Sequence, residues 1–175
     1  MKRLYPIGIQ NFEDLRKRDY IYVDKTSQIY NLVNTGKYYF LSRPRRFGKS
    51  LLISTLEAYF SGKRELFKGL EMEKLEQEWN VYPILHMDLN TRNYYDEEAL
   101  IGILKQNLEE WEKLYGDEKK DRVPEERFMY VIKKAYENTG RKVVILIDEY
   151  DKPMLQAISN PDLQTKYRNI LKAFY

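Results

Sequence analysis

One stretch, residues 38–50, constrains the fold of this chain more than any other. It combines an apolar run, Tyr38-Tyr39-Phe40-Leu41, with a short polar loop that ends in Gly48-Lys49-Ser50. This ending matches the end of the phosphate-binding loop G-x-x-x-x-G-K-[ST]. We therefore expect a core strand over residues 38–42 and, after the loop, a helix that runs to about residue 60.

Each residue at the end of this loop has a chemical reason to be there. Gly48 lets the backbone approach a phosphate closely, Lys49 would place a positive charge at the β- and γ-phosphate oxygens, and the Ser50 hydroxyl would be a Mg²⁺ ligand. The N–H groups at the start of the following helix favour an anion. Arg43 stands where the pattern has its first glycine. The alternative is an ordinary strand–loop–helix turn in which Ser50 is the helix N-cap.

A second motif follows the strongest strand candidate. Residues 143–147 are five consecutive aliphatic residues, which is typical of a strand buried on both faces of a parallel sheet. Asp148 and Glu149 follow directly, in the Walker B form of P-loop ATPases. Because ligands bind at the carboxyl ends of parallel strands, Asp148 would hold Mg²⁺ together with Ser50, and Glu149 would be the general base for the attacking water. The alternative is a polar end to a buried strand.

Apolar spacing predicts the remaining elements. Three helices and one further strand are expected, over residues 96–115, 125–138, 161–174 and 83–89. Leu114 and Tyr136 are expected on the buried faces of the first two helices. Since strands alternate with helices, the chain is predicted to be α/β with a mostly parallel sheet.

The residues before the loop predict a short lead-in. Ile21-Tyr22-Val23 is long enough only for a small strand, and apolar residues at helical spacing follow it. Asp24 or Thr26 is the candidate cap of that helix, and Gly36 is the candidate residue after its C-terminus.

Composition excludes several classes of protein. The chain has 175 residues, no cysteine and a net charge of +3. Disulfides and thiolate metal sites are therefore excluded, and a reducing compartment fits. The sequence contains no signal-peptide pattern and no run near the ~20 apolar residues that span a membrane. We expect a soluble, cytoplasmic protein without membrane partners.

Three segments resemble the AAA-ATPase-like family of bacterial proteins, and the resemblance covers essentially the whole chain. They are Tyr22-Val23-Asp24-Lys25-Thr26, Ser42-Arg43-Pro44-Arg45-Arg46-Phe47-Gly48-Lys49-Ser50-Leu51 and Asp148-Glu149-Tyr150-Asp151-Lys152-Pro153. In that family arginine is usual at the first glycine position, so Arg43 fits it. Family members commonly carry a C-terminal domain of the PD-(D/E)XK nuclease superfamily. The resemblance therefore implies an ATPase module of a longer protein, with a nuclease-like domain as its partner.

Together, the motifs and the resemblance predict a three-layer P-loop NTPase fold of the ASCE/AAA-like kind over residues 1–175, with a lead-in over 1–36 and a nucleotide-binding core over 37–175. The expected function is ATP binding with Mg²⁺-dependent hydrolysis; a nucleotide-binding switch or scaffold without significant turnover is the alternative. The family resemblance implies ATP rather than GTP, and the absence of an Asn-Lys-x-Asp motif fits this preference. The expected nucleotide-binding residues are Arg43, Pro44, Arg45, Arg46, Phe47, Gly48, Lys49, Ser50 and Leu51, the catalytic residues are Lys49 and Glu149, and the metal ligands are Ser50 and Asp148.

Other polar residues keep two interpretations. Arg43, Arg45 and Arg46 could neutralise phosphate charge, contact a nucleic acid or remain solvated, and the sequence does not indicate nucleic acid as a partner. For Asp24 and Lys25, a helix cap and a salt bridge compete with a nucleotide contact.

Three residues near the strands have weaker signals. His86 is expected to pack in the sheet, and Asp88 could join the metal shell. Asp151 is expected to be the N-cap of a helix that starts at Pro153.

The end of the chain carries one further expectation. In ATPases with a catalytic glutamate after the Walker B aspartate, a later strand normally supplies a polar sensor, and no apolar strand candidate follows residue 147. We therefore expect a core truncated before the sensor strand, and weak hydrolysis. Strands 38–42 and 143–147 would face a gap, pair with each other or pair with a neighbouring chain. A homo-oligomer is compatible with this expectation.

Overall fold

The computed structural model describes residues 4–42, 44 and 46–174. The chain divides into two compact units, Met1–Ile84 and Leu85–Tyr175. Over the described ranges it is a mixed α/β chain. No helix in this part of the chain is long and apolar enough to cross a membrane.

The first unit is helical. Its elements are α1 (Phe12–Lys17), α2 (Thr26–Thr35), α3 (Lys49–Phe60), a 3₁₀ turn (Arg64–Phe67) and α4 (Glu71–Leu75). Helix α1 begins at Asn11, whose side chain accepts a hydrogen bond from the N–H of Asp14. The fully buried side chains of this unit include Phe12, Leu15, Phe67 and Met72. In this unit α1 packs on α3, and α2 packs on α4.

The second unit contains the sheet. Its elements are β1 (Ile84–Asp88), a 3₁₀ turn (Leu89–Thr91), α5 (Glu97–Tyr115), α6 (Pro124–Thr139), β2 (Val144–Asp148), α7 (Lys152–Gln156) and α8 (Pro161–Phe174). Ile84, the first residue of β1, is the last residue of the first unit. Strands β1 and β2 form a two-stranded parallel sheet. Two parallel neighbours need a long crossover, and α5 with α6 provides it.

The core of the second unit lies between the sheet and three helices. Leu85 and Met87 alternate with half-buried residues along β1, so one face of this strand enters the core. Helices α5, α6 and α8 supply the other large side chains, which include Leu104, Leu108, Trp111, Phe128, Val131, Tyr167 and Phe174. Phe128 stacks on Phe174 with ring centroids 4.5 Å apart, which fixes α8 against α6.

Most of the predicted elements of this unit are confirmed. The three long helices and the two strands agree with the expected ranges to within two residues, the usual uncertainty of an element boundary. In the first unit, the predicted helix after the loop is α3, and it ends at Phe60 as expected.

The predicted core strand over residues 38–42 is wrong. These residues form no strand, and Tyr38 and Phe40 are 95% and 73% exposed. Tyr39 points back to α2, where its hydroxyl donates a hydrogen bond to the carbonyl of Leu32 at 2.5 Å. A Cβ atom on Gly36 would lie 2.6 Å from that hydroxyl, so any other residue there would require the side chain of Tyr39 to shift. An apolar run becomes a strand only where a neighbouring strand satisfies its backbone, and no strand of the described part pairs with this one.

Four smaller expectations are also corrected. Residues 21–23 form no strand. Leu114 is 69% exposed, because Glu112 takes the inner position near the end of α5. Tyr136 of α6 is 54% exposed. Strand β2 is not buried on both faces, since Ile145 is 41% exposed in a sheet that has only two strands among the described residues.

Candidate functional site

The predicted site residues are divided between the two units. Residues 43–51 belong to the first unit, and Asp148 and Glu149 belong to the second. Arg43 and Arg45 lie outside the described residues.

The loop of the first unit turns into α3 at Gly48. Gly48 has a left-handed backbone (φ 74°, ψ 25°) and is the N-cap of α3, and its carbonyl accepts a hydrogen bond from the N–H of Leu52 at 3.0 Å. This conformation is natural for glycine and costly for other residues. Lys49 and Ser50 are the first two residues of the helix. Ser50 is therefore not the N-cap, which sets aside the alternative of a serine-capped turn.

The sequence before and through this helix start carries charged residues of one sign. The first turn of α3 contains no acidic residue. Along the sequence, Lys37, Arg43, Arg45, Arg46 and Lys49 occur before the first acidic residue of the helix, with no acidic residue among them. The free N–H groups of a helix start and a cluster of cations both favour an anion. Arg46 and Phe47 are exposed beside this turn.

The carboxylates of the second unit follow β2. Asp148 is the last residue of the strand and is 9% exposed. Its Oδ1 accepts a hydrogen bond from the N–H of Glu149 at 2.9 Å. Glu149 has a left-handed backbone with φ 52°, which is rare for a residue other than glycine. Such strained residues are concentrated at functional sites, so the backbone of Glu149 is compatible with the predicted catalytic role.

The loops that follow the two strands are tied together. The ammonium of Lys152 donates hydrogen bonds to the backbone carbonyl of Asn90 at 2.7 Å and to its Oδ1 at 2.9 Å. Asp88 ends β1, and its Oδ1 accepts the N–H of Asn90 at 2.7 Å. The carboxyl ends of β1 and β2 thus form one hydrogen-bonded edge, which is where a parallel sheet binds ligands. The sequence did not point to Asn90 or Lys152, because the motif pattern does not indicate a partner for either residue.

Asp151 occupies the N-cap position of α7, although its side chain makes no capping bond. Its Oδ1 is buried and has no hydrogen-bond partner among the described residues. A buried carboxylate oxygen without a partner is costly. Asp151 is therefore a further acidic group, close to Asp148 and Glu149 in sequence, with one buried oxygen whose hydrogen-bonding capacity is not used.

The chemical types of the candidate metal ligands fit Mg²⁺ better than a cation whose ligands all come from the protein. Over residues 4–42, 44 and 46–174, no group of three or more His, Cys, Asp or Glu side chains could hold a metal ion. Magnesium usually takes one or two carboxylates together with substrate phosphates. Ser50 offers a hydroxyl and Asp148 a carboxylate, which are oxygen ligands of that kind. Oδ1 of Asp88, like Oδ1 of Asp148, already accepts a backbone N–H.

Comparison with protein families identifies the chain. The family model described as "Predicted AAA-ATPase" matches residues 6–175. The chain belongs to this AAA-ATPase-like family. Membership confirms the resemblance drawn from the three sequence segments, and it supports nucleotide binding at a coarse level.

A relative of this AAA-ATPase-like chain is a protein of Azotobacter chroococcum mcd 1 described as "Uncharacterized protein in vnfD 5'region". The two are 37% identical over 175 residues, which cover 99% of this chain and 34% of the relative. The chain thus spans about a third of the length of the curated relative it matches. No solved structure matches the chain.

Proposed function

We propose that this chain binds ATP in a P-loop NTPase fold and hydrolyses it with Mg²⁺. The observation that carries the proposal is the turn at Gly48, which has a left-handed backbone and places Lys49 and Ser50 at the start of a 12-residue helix. Family membership over residues 6–175 supports the same function.

Each proposed site residue would have its own role in this reaction. Lys49 and the N–H groups at the start of α3 would bind the phosphate oxygens, and Ser50 and Asp148 would hold Mg²⁺. Bound Mg²⁺ would neutralise charge that develops on the phosphates. Glu149 would accept a proton from water while the water oxygen bonds to the γ-phosphorus. The bond to the bridging oxygen then breaks, which gives ADP and inorganic phosphate.

Ligand-induced stabilisation tests the binding part of the proposal. Mg-ATP at 100 times its Kd should add about 2.7 kcal/mol to the free energy of unfolding. Lys49→Ala should lose this gain, whereas Lys142→Ala, which removes an exposed lysine of the second unit, should keep it. No shift for the unmodified chain at millimolar Mg-ATP would refute nucleotide binding. If GTP displaces labelled ATP equally well, the preference for ATP is wrong.

A second measurement separates hydrolysis from a nucleotide-binding switch. Glu149→Gln keeps the size of the side chain and removes the carboxylate base. If the chain is an enzyme, this variant should bind Mg-ATP with unchanged affinity and lose phosphate release by about 10²-fold or more. If the chain is a switch, the variant and the unmodified chain should both show negligible turnover.

A further inference from the structure

The lead-in motif Tyr22–Thr26 has no part in the proposed reaction, yet it makes a defined set of hydrogen bonds. Oδ1 of Asp24 accepts the N–H and the hydroxyl of Thr26, at 2.8 and 2.7 Å, and Oδ2 accepts the N–H of Glu71 at 2.8 Å. The hydroxyl oxygen of Thr26 in turn accepts the N–H of Met72 at 3.0 Å. Glu71 and Met72 open helix α4. The motif therefore supplies acceptors for N–H groups that a helix start leaves unpaired.

The other end of α4 binds α3. Glu76 follows α4 directly, and its Oε2 accepts a hydrogen bond from the hydroxyl of Tyr59 at 2.5 Å. Its Oε1 accepts the N–H groups of Gln77 and Glu78, each at 2.9 Å. Burial acts to raise the pKa of Glu76, but these bonds outweigh it and lower the pKa, so the carboxyl stays an ionised acceptor. Tyr59 lies in the last turn of α3.

A second set of contacts reaches the same helix. The ring of Tyr22 packs edge-to-face on Phe12 of α1 with centroids 5.3 Å apart. The N–H of Phe12 donates to Oγ of Ser54, also on α3, at 3.0 Å. All these residues lie in the first unit. The motif thus reaches α3 by two indirect routes, through Phe12 of α1 and through α4.

We propose that Asp24 and Thr26 are positioning residues for α3, whose first turn carries Lys49 and Ser50, and that they act through α4 without touching the nucleotide. This inference rests on the proposed function and extends it to the lead-in motif. Small displacements of groups that hold a ligand weaken binding. A direct phosphate contact by Asp24 is unfavourable, because an ionised carboxylate only accepts hydrogen bonds and has the charge of the phosphate.

Substitutions that differ by one hydrogen-bonding group test this role. Thr26→Val keeps the shape and removes the acceptor for Met72, whereas Thr26→Ser keeps the hydroxyl. Asp24→Asn keeps one oxygen and turns an N–H₂ group towards the N–H of Glu71. We expect the Kd for Mg-ATP to rise by about three- to tenfold in Thr26→Val and Asp24→Asn, and to stay within about twofold in Thr26→Ser.

A matched control separates positioning from general destabilisation. Asp96 caps α5 in the second unit, where its Oδ1 accepts the N–H of Ala99 at 2.8 Å. Asp96→Ala should lower the stability of the chain by a similar amount and leave the Kd unchanged. All variants are compared at a temperature at which each is fully folded. An unchanged Kd in Thr26→Val, or an equal rise in Asp96→Ala, overturns the proposal.

Hydrogen exchange without nucleotide gives a readout that does not depend on the proposed function. Amides in the second half of α3 should exchange about tenfold faster in Thr26→Val and Asp24→Asn than in the unmodified chain, and at an unchanged rate in Thr26→Ser and Asp96→Ala. If the unmodified chain does not bind Mg-ATP, the proposed function fails, and α3 exchange alone decides whether the motif holds this helix. Unchanged exchange in Thr26→Val then overturns the inference.

Discussion

The guanidinium of Arg127 donates two hydrogen bonds to the carboxylate of Glu112, from Nε to Oε1 at 2.8 Å and from Nη2 to Oε2 at 2.7 Å. Both residues are 5% exposed. The pair joins α5 to α6 in the fork-to-fork geometry that favours arginine over lysine. The hydrogen bonds that Arg127 donates to Glu112 raise the pKa of Arg127, so its guanidinium is charged.

Removing one partner of this pair should destabilise the chain strongly. In Arg127→Met the carboxylate of Glu112 stays buried without its cation, and the expected loss is about 3–5 kcal/mol in the free energy of unfolding. The double variant Glu112→Leu/Arg127→Met buries no charge and should recover most of that loss. Urea denaturation of the single and double variants measures both values. Additive losses in the double variant would contradict this account.

The ion pairs of Glu13 should make the stability depend on pH. Hydrogen bonds from Lys17 and Lys63 lower the pKa of Glu13 to about 2 from its usual 4.5. The folded chain therefore releases this proton at lower pH than the unfolded chain does. The stabilisation is complete above pH 4.5 and is lost as the pH falls towards 2. Since these side chains reach solvent, it should not exceed about 1 kcal/mol.

Glu13→Gln measures this contribution. At neutral pH the variant should be less stable than the unmodified chain, and the difference should shrink as denaturation is repeated at lower pH. A difference that stays constant down to pH 2.5, or that grows, would show that the lysines do not act through the charge of Glu13.

The left-handed backbone of Glu149 predicts an unusual order of stability. A non-glycine residue in this region costs about 1–2 kcal/mol, so Glu149→Gly should be more stable than Glu149→Ala by about 1 kcal/mol. At Lys105, an exposed position of α5, glycine should instead be less stable than alanine by about 1 kcal/mol. Thermal denaturation of the four variants tests this reversal, and the same order at both positions would rule out backbone strain at Glu149.

Gly48 and Gly69 form a matched pair for the phosphate loop. Their φ angles are 74° and 77°, and a Cβ added to either would meet no atom within 4 Å. Alanine at each position should therefore cost a similar amount of stability, about 1 kcal/mol, through the backbone alone. Only Gly48→Ala should also weaken Mg-ATP binding, because its methyl group lies where a phosphate would approach. Calorimetric titration compares the two, and equal affinities would argue against a phosphate site at Gly48.

The helices and the Asp-Glu strand could be read from the sequence because their signals are local. Apolar residues at helical spacing must share one face wherever the helix packs, which is why α5, α6 and α8 appear where they were expected. Five aliphatic residues before Asp148 likewise indicate a strand, although not its exposure at Ile145. The loop at Gly48 was recognisable because the pattern states a backbone requirement, and the left-handed φ of Gly48 meets it.

Residues 38–42 show where local signals end. Their composition is that of a strand, but strand formation depends on hydrogen bonds to another segment. The local sequence does not show which segment is available. The partners of Asp24 are equally non-local, since Glu71 is 47 residues away along the chain. The sequence suggested that Asp24 caps α2, and its side chain does accept the N–H of Thr26 at the start of that helix. It also accepts the N–H of Glu71 at the start of α4, which the sequence did not suggest.

Spacing along the chain thus determines which residues form helices and which apolar faces they present, because these depend on neighbours within a few positions. Folding determines which polar groups meet: Glu112 with Arg127, Asp24 with Glu71, Lys152 with Asn90. Such pairs form only after distant segments are brought together and the groups are withdrawn from water. A buried donor or acceptor without a partner lowers the stability, so the folded structure is one in which these groups are paired.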